Sequence, residues 1–458
     1  MIVKGGTAVM ENGEKRADIR VKDGVIVEIE ENIIPEAGEE SVDAWGCLVL
    51  PGGIDAHTHF DMPAAECRTS DDFFTGTRAA IMGGTTTIID FAEFQKGERM
   101  QDGLDLWHEK ADDRSYCDFG FHMTVPQWQE KTGEEIRSMI RQGITSFKAY
   151  TAYQDGIGVH DKELYPIMEC IRETGALLCV HCENGQVLEY LQKEYIKKNP
   201  GDIRNHPLSR PDLVEKEAVS RVIDFAEMTG ARVYIVHVST REAEQVIRRA
   251  KERGVDIYGE TCPQYLLLDE SCYELPGFES AKYVLSPPLR KKDNQTALWQ
   301  GLREGVLDTV STDHCSFSYE EHKLLGKEDF TRIPNGIPGV EHRMELMLHY
   351  GEQQGMSPGM IVRVTAESPA RIFGLYPRKG VIEVGSDGDL VVVEPDSPHV
   401  ISARTQHQQV DYTPYEGFWV KKKIRHVLLR GQAAVKGGQL VQKVPGGRFL
   451  KREINRQK

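Results

Sequence analysis

Two hydrophobic patterns divide the chain. At both ends, short runs alternate polar and apolar residues with period two, the mark of half-buried strands. Ala17 to Lys22 alternates, Asp23-Gly24 is a type I′ hairpin signal, and Val25 to Ile29 alternates back. Near the other end, Asp389 to Val393 predicts a buried strand. Val427 to Val435, the Gly437-Gly438 turn and Gln439 to Val441 predict a second hairpin. The two ends are expected to meet in one discontinuous β-sandwich module over 1–50 and 375–445, followed by a basic tail over 446–458.

Between them, short apolar runs alternate with helical stretches. Leu48–Pro51, Thr85–Phe91, Phe119–Val125, Ser146–Tyr150, Leu177–His181, Val233–Val238, Val255–Glu260 and Asp308–Thr312 predict strands. Lys162–Thr174, Glu215–Thr229 and Arg241–Arg253 predict amphipathic helices among them. Eight strands alternating with helices over 51–374 predict an α/β fold, a (β/α)₈ TIM-like barrel, with its chemistry at the carboxyl ends of the strands.

Composition narrows the function. The formal charge of −15 argues against a nucleic-acid binder. No apolar run approaches the ~20 residues of a membrane helix. The opening Met1-Ile2-Val3-Lys4-Gly5 lacks the layout of a signal peptide. Nine scattered cysteines fit reduced thiols in a cytoplasm. Cys179-Val180-His181-Cys182 forms the pattern C-x-x-C, but inside a strand-like run, which predicts two buried thiols around a functional histidine rather than a redox motif. The tail carries Lys443, Arg448, Lys451, Arg452, Arg456 and Lys458. It reads as a solvated segment or as a contact for an acidic neighbour.

Polar residues collect where the barrel strands end. His57 and His59 lie two apart in Gly53-Ile54-Asp55-Ala56-His57-Thr58-His59, so on a strand both face one side. His181, His237 and Asp313 end later strands. Four imidazoles and a carboxylate suit Zn²⁺ or a similar divalent ion. His122 and His314 are candidates for supporting partners. His108, His160, His322, His349 and His407 sit in polar surroundings and read as exposed. Lys148 also ends a strand. A protonated ammonium has no lone pair for a metal. Either Lys148 pairs with a carboxylate, or burial keeps it neutral and it adds CO₂ to form an anionic carbamate able to bridge two ions.

These motifs resemble the hydantoinase/dihydropyrimidinase family of the amidohydrolase superfamily, and within it the bacterial D-hydantoinases and phenylhydantoinases. The resemblance runs from Gly52-Gly53-Ile54-Asp55-Ala56-His57-Thr58-His59-Phe60 to Tyr412-Thr413-Pro414-Tyr415-Glu416-Gly417-Phe418. Discriminating segments between these include Asp72 to Ala80, Glu260 to Leu266, Leu285 to Arg290 and Pro334 to Glu341.

The resemblance implies a binuclear zinc site. His57, His59 and Asp313 would hold one ion, His181 and His237 the other, and Lys148, as N6-carboxylysine, would bridge them. Substrate binding falls on Tyr153, Ser286 and Asn335, the last two largely through backbone groups. By their residues alone, Tyr153 could equally be a loop aromatic over the barrel mouth, Ser286 the cap of a rigid turn, and Asn335-Gly336 an ordinary turn.

The implied reaction is hydrolytic opening of a cyclic amide such as a 5-substituted hydantoin or a dihydropyrimidine. Asp313 would move the proton and Tyr153 would stabilise charge on the carbonyl oxygen. Met62, Ala65 and Tyr150 are expected to shape the pocket for the exocyclic group. The product would be an N-carbamoyl amino acid, and the enzyme a homotetramer. The competing readings are an allantoinase-type ureide hydrolase and a non-catalytic scaffold that keeps the barrel. The intact ligand set speaks against the scaffold. No arginine stands beside the first H-x-H, where a dihydroorotase would place one.

Overall fold

The computed structural model describes residues 1–454 apart from 12, 65 and 155. Ala65, Arg456 and Lys458 therefore lie outside the described residues. The barrel is present as an eight-stranded parallel sheet. Its strands are Gly53–Thr58, Thr85–Ala92, Asp118–Thr124, Ser146–Tyr150, Leu177–His181, Val233–Ile235, Ile257–Thr261 and Thr309–Val310, paired in that order. All but one of their residues are buried, as expected of strands covered by helices on one side and filled by side chains on the other. The expected helices form at Asp161–Thr174, Asp212–Thr229 and Arg241–Glu252.

The first strand differs from expectation. Leu48–Pro51 does not open the barrel. It pairs with Leu390–Glu394 and with Ile2–Met10 in the terminal sheet. The chain crosses to the barrel at Gly52, whose N–H donates to the Asp389 carbonyl, while the N–H of Gly53 donates to the Gly84 carbonyl. A Cβ on Gly52 would sit 2.0 Å from Thr86 Oγ1, so only glycine allows this close crossing.

Both chain ends build one nine-stranded sheet with its own apolar cluster, including Val3, Ile19, Val49, Leu390 and Leu428. The first hairpin turns at Asp23 and Gly24, both with positive φ, as a type I′ turn demands. The run from Val427 to Val435 is not one strand. Arg430 and Gly431, also at positive φ, break it into Lys423–Leu429 and Gln432–Lys436 before the Gly437-Gly438 turn.

The tail is only partly solvated. Lys443, Arg448 and Lys451 are exposed, but Leu450 and Arg452 are buried. The Arg452 guanidinium donates to Ser146 Oγ at 2.8 Å and to the Phe121 carbonyl, at the end of the barrel away from the strand carboxyl termini. Among the histidines expected at the surface, His160 is exposed, His108, His322 and His407 are half-buried, and His349 is buried.

A buried ionic cluster joins barrel and sheet. Lys379 Nζ contacts Asp118 at 2.7 Å, Asp389 at 2.7 Å and Asp387 at 2.9 Å, and Arg430 also reaches Asp118. Asp118 belongs to the barrel and Asp389 precedes a strand of the terminal sheet. Burial disfavours the Lys379 cation, but the three carboxylates outweigh it and raise its pKa. Lys379→Met strands those carboxylates, and we expect a loss of about 3–5 kcal/mol, the usual cost of removing one partner from a buried pair. Urea unfolding checks this; a loss below about 1 kcal/mol would show that Arg430 alone carries the cluster.

Candidate active site

The predicted site residues converge. His57, His59, Lys148, Tyr153, His181, His237, Ser286, Asp313 and Asn335 all line one cavity of about 610 Å³ at the carboxyl ends of the barrel strands. Met62 and Tyr150 line it too. The ligating atoms of His57, His59 and Asp313 lie within 4.8 Å of one another. His57 Nε2 is 3.1 Å and His59 Nε2 3.3 Å from Asp313 Oδ1. Opposite them, His181 Nδ1 faces His237 Nε2 at 2.9 Å.

Local backbone geometry aims these groups. The sixth and eighth strands stop at Ile235 and Val310, earlier than their apolar runs suggest. His237 and Asp313 then take φ of 40° and 52°, and Tyr153 takes 58°. Side chains other than glycine rarely adopt this region, at a cost of about 1–3 kcal/mol each. The turn brings each side chain into the cavity instead of letting the strand continue.

Carboxylates behind the imidazoles set their tautomers. Glu260, at the end of the seventh strand, accepts from His57 Nδ1 at 2.6 Å and from the His237 backbone N–H at 3.0 Å. That turns His57 Nε2 toward the cavity. Glu183 accepts from His181 Nε2 at 2.9 Å and is itself held by Arg210 at 2.6 Å. Burial opposes ionisation of Glu183, but Arg210 and His181 pull its carboxyl down to about 2. Asp90 accepts from Thr58 Oγ1, the Phe60 N–H and Trp107 Nε1, fixing the turn that carries His59.

The electrostatics favour an added cation. Burial pushes the pKa of His59, His181 and His237 down, so their lone pairs are free. Burial also disfavours the His57 cation, but Glu260 and Asp313 overcome it and lift the imidazole to about 9. A proton on His57 thus occupies a place where two carboxylates draw positive charge, and metals displace such protons. Lys148 is buried, and among the described residues no carboxylate lies within 4 Å of its Nζ. Its ammonium rests over the Phe91 and Tyr150 rings, and burial lowers its pKa. The expected alternative, a lysine in an ion pair, is not what this geometry holds. Among the described residues, His59 Nδ1 has no hydrogen-bond partner and is buried. The imidazole lone pairs and carboxylate of His57, His59 and Asp313 fit a divalent metal ion.

The chain matches the amidohydrolase family model over residues 48–434. It belongs to the amidohydrolase family. It is 44% identical to a D-hydantoinase of Geobacillus stearothermophilus over 453 residues, covering 98% of this chain and 96% of the relative. It is 40% identical to a D-phenylhydantoinase of Escherichia coli strain SE11 over 456 residues, covering 99% and 98%. Among solved structures, dihydropyrimidinase from Brevibacillus agri NCHU1002 superposes with a TM-score of 0.98 at 42% identity, covering 100% of this chain and 99% of that one. This amidohydrolase is an enzyme that hydrolyses cyclic amides, and the allantoinase reading is not favoured.

Sequence reasoning passed over several residues that build this amidohydrolase's site. Glu260 ends a predicted strand, the same signal that picked out His181 and His237, yet was assigned no part. The His314 ring contacts no candidate ligand: its Nε2 meets Asp71 at 3.1 Å and its Nδ1 accepts from the N–H groups of Gly339 and Val340. His122 bonds Ser146 and the Ala56 carbonyl, behind the first strand. Cys179 and Cys182 are buried and unpaired, with burial pushing the Cys179 thiol up to about 12.

The least expected residue is Lys323. It is buried and donates to three carbonyls, Val284 at 2.8 Å, Pro334 at 2.7 Å and Gly336 at 2.7 Å. One side chain thereby clamps the Ser286 segment to the Asn335 segment. Gly336 tightens the join, because at φ +145° a Cβ there would lie 2.6 Å from the Cys315 carbonyl oxygen. Removing the clamp leaves buried carbonyls unpaired at about 1–3 kcal/mol each. Lys323→Met should raise KM about tenfold, about 1.4 kcal/mol of binding, with a smaller effect on kcat. Steady-state kinetics checks this; an unchanged KM in a folded variant would contradict the clamp.

Proposed function

We propose that this enzyme opens 5-substituted hydantoins, with preference for the D form, to N-carbamoyl amino acids, and that dihydropyrimidines are secondary substrates. His57, His59 and Asp313 would hold one divalent ion and His181 and His237 a second, with N6-carboxylated Lys148 between them. Zinc suits this imidazole-rich set. The observation that carries the reading is Lys148: a buried amine, unpaired among the described residues, that lines the same cavity as both imidazole pairs. Burial favours its neutral form, the one able to add CO₂. The D preference is supported by relatives named D-hydantoinase at 41–44% identity, against 29% for the L-hydantoinase structure from Arthrobacter aurescens.

The two bound ions would supply a water acidic enough to lose its proton near neutral pH and a positive charge against the scissile carbonyl. Asp313 is placed to take the proton of the attacking water and return it to the ring nitrogen as the C–N bond breaks. Its two imidazole neighbours fix its position. Burial raises the Tyr153 phenol, so it remains a donor at neutral pH and can bond the developing oxyanion. Asn335 Oδ1 is buried without a partner and Ser286 Oγ faces Tyr153 without a well-formed bond. Both, with their backbone groups, are suited to the imide edge of the ring, which would satisfy them on binding.

Unpaired cysteines throughout support work in a cytoplasm. Among the described residues no helix is long and apolar enough to cross a membrane. The resemblance implies assembly into a homotetramer.

Ring opening of D- and L-5-substituted hydantoins, dihydrouracil and allantoin tests the assignment directly. D-hydantoins should be opened fastest, and a chelator should abolish turnover. Lys148→Ala should lose more than ~100-fold, beyond what loss of an outer partner costs, and a small added carboxylate should restore part of it. Equal rates on allantoin, or a Lys148→Ala variant as active as the parent, would overturn the reading.

A further inference from the structure

Besides the exposed Glu66–Arg332 ion pair at its rim, the cavity holds a carboxylate that the reaction does not use. Glu93 is the first residue after the second barrel strand, and its side chain lines the cavity beside Met62 and Tyr150. Its one hydrogen bond among the described residues is a long one, from the Tyr150 hydroxyl to Oε1 at 3.4 Å. No lysine or arginine of the described residues comes within ion-pair distance of it. Apolar side chains line much of the same cavity, Met62, Ile157, Leu325 and Ile333 among them. A half-buried carboxylate without a cation loses part of its hydration uncompensated, since burial penalises the charged form. Burial pushes the Glu93 carboxyl up to about 7, against the pull of Tyr150, Lys148 and Lys110.

The position has a direction. The Lys148 ammonium rests 5.1 Å from the Tyr150 ring, whose hydroxyl reaches Glu93. Glu93 therefore stands one phenol ring removed from the reacting centre. A ring held by Ser286 and Asn335 must send its substituent away from the groups that hold it. Apolar walls suit a short methylene stem, and the carboxylate beyond suits its tip. A positive tip would regain for Glu93 the partner it lacks, at low dielectric, where such a pair is strongest.

Resting on the hydantoinase reading above, we propose that Glu93 is a specificity determinant that selects cyclic amides whose 5-substituent is a short chain ending in an ammonium or guanidinium group.

The test compares D-5-(3-aminopropyl)hydantoin with D-5-butylhydantoin, a near-isosteric pair differing in charge. Wild type should favour the amine in kcat/KM. In Glu93→Leu the ratio of amine to butyl should fall at least tenfold, and Glu93→Gln should lie between. The ratio cancels the amount of folded enzyme, so a loss of folded protein cannot imitate the result. If wild type opens both rings and the ratio is unchanged in Glu93→Leu, the Glu93 proposal fails while the hydantoinase reading stands. If wild type opens neither ring, both fail. A preference for a phenolic substituent over both, lost in Glu93→Leu, would show a neutral donor as the ligand and overturn the cationic assignment.

Discussion

The seam between the first and last barrel strands is joined by side chains, and the site depends on that join. Asp55 of the first strand accepts from the Thr312 N–H at 3.0 Å and its hydroxyl at 2.7 Å. Arg343, fully buried, donates from one nitrogen to the Ile54 and Val310 carbonyls, both at 2.8 Å. Among the described residues the backbone meets only at the mouth, where Thr58 bridges His314 and the His59 N–H donates to the His314 carbonyl. His57 and His59 stand on one side of this seam and Asp313 on the other. Without the closure the carboxylate would not face the imidazoles. Buried carbonyls need donors, so a guanidinium serving two strands is a physical solution where a ladder of backbone bonds ends early.

A second layer of charge then tunes the donors. Glu260 and Glu183 each take one N–H of an imidazole and turn its other nitrogen inward. Burial strips protons from His59, His181 and His237, while the carboxylates concentrate positive charge at His57. The positive φ values of His237, Asp313 and Tyr153 show that the backbone gives up comfort to present these groups. Electrostatic preorganisation of this kind places the structural cost in the fold, before substrate arrives.

Much of this was legible in the sequence, for identifiable reasons. Strand ends are readable because a buried apolar run that stops at His or Asp is unusual, which is how His181, His237 and Asp313 stood out. Leu48–Pro51 misled because a run buried on both faces looks the same in a barrel and in the core of another sheet; the Gly52-Gly53 pair marks the crossing. Glu260 shows the limit of seeking metal ligands alone, since an acid at a strand end serves equally behind a ligand. Arg452 and Lys323 were hidden. Their composition reads as surface, and only the fold reveals the carbonyls that each one satisfies.

The proposed chemistry requires Lys148 to become an anion between two cations. Anomalous diffraction at the zinc absorption edge, from crystals grown with zinc and bicarbonate, measures this directly. Two peaks should appear, one by His57, His59 and Asp313 and one by His181 and His237, with density extending from Lys148 Nζ to both. A single peak or none, with an unmodified amine still lying over the Phe91 and Tyr150 rings, would contradict the account.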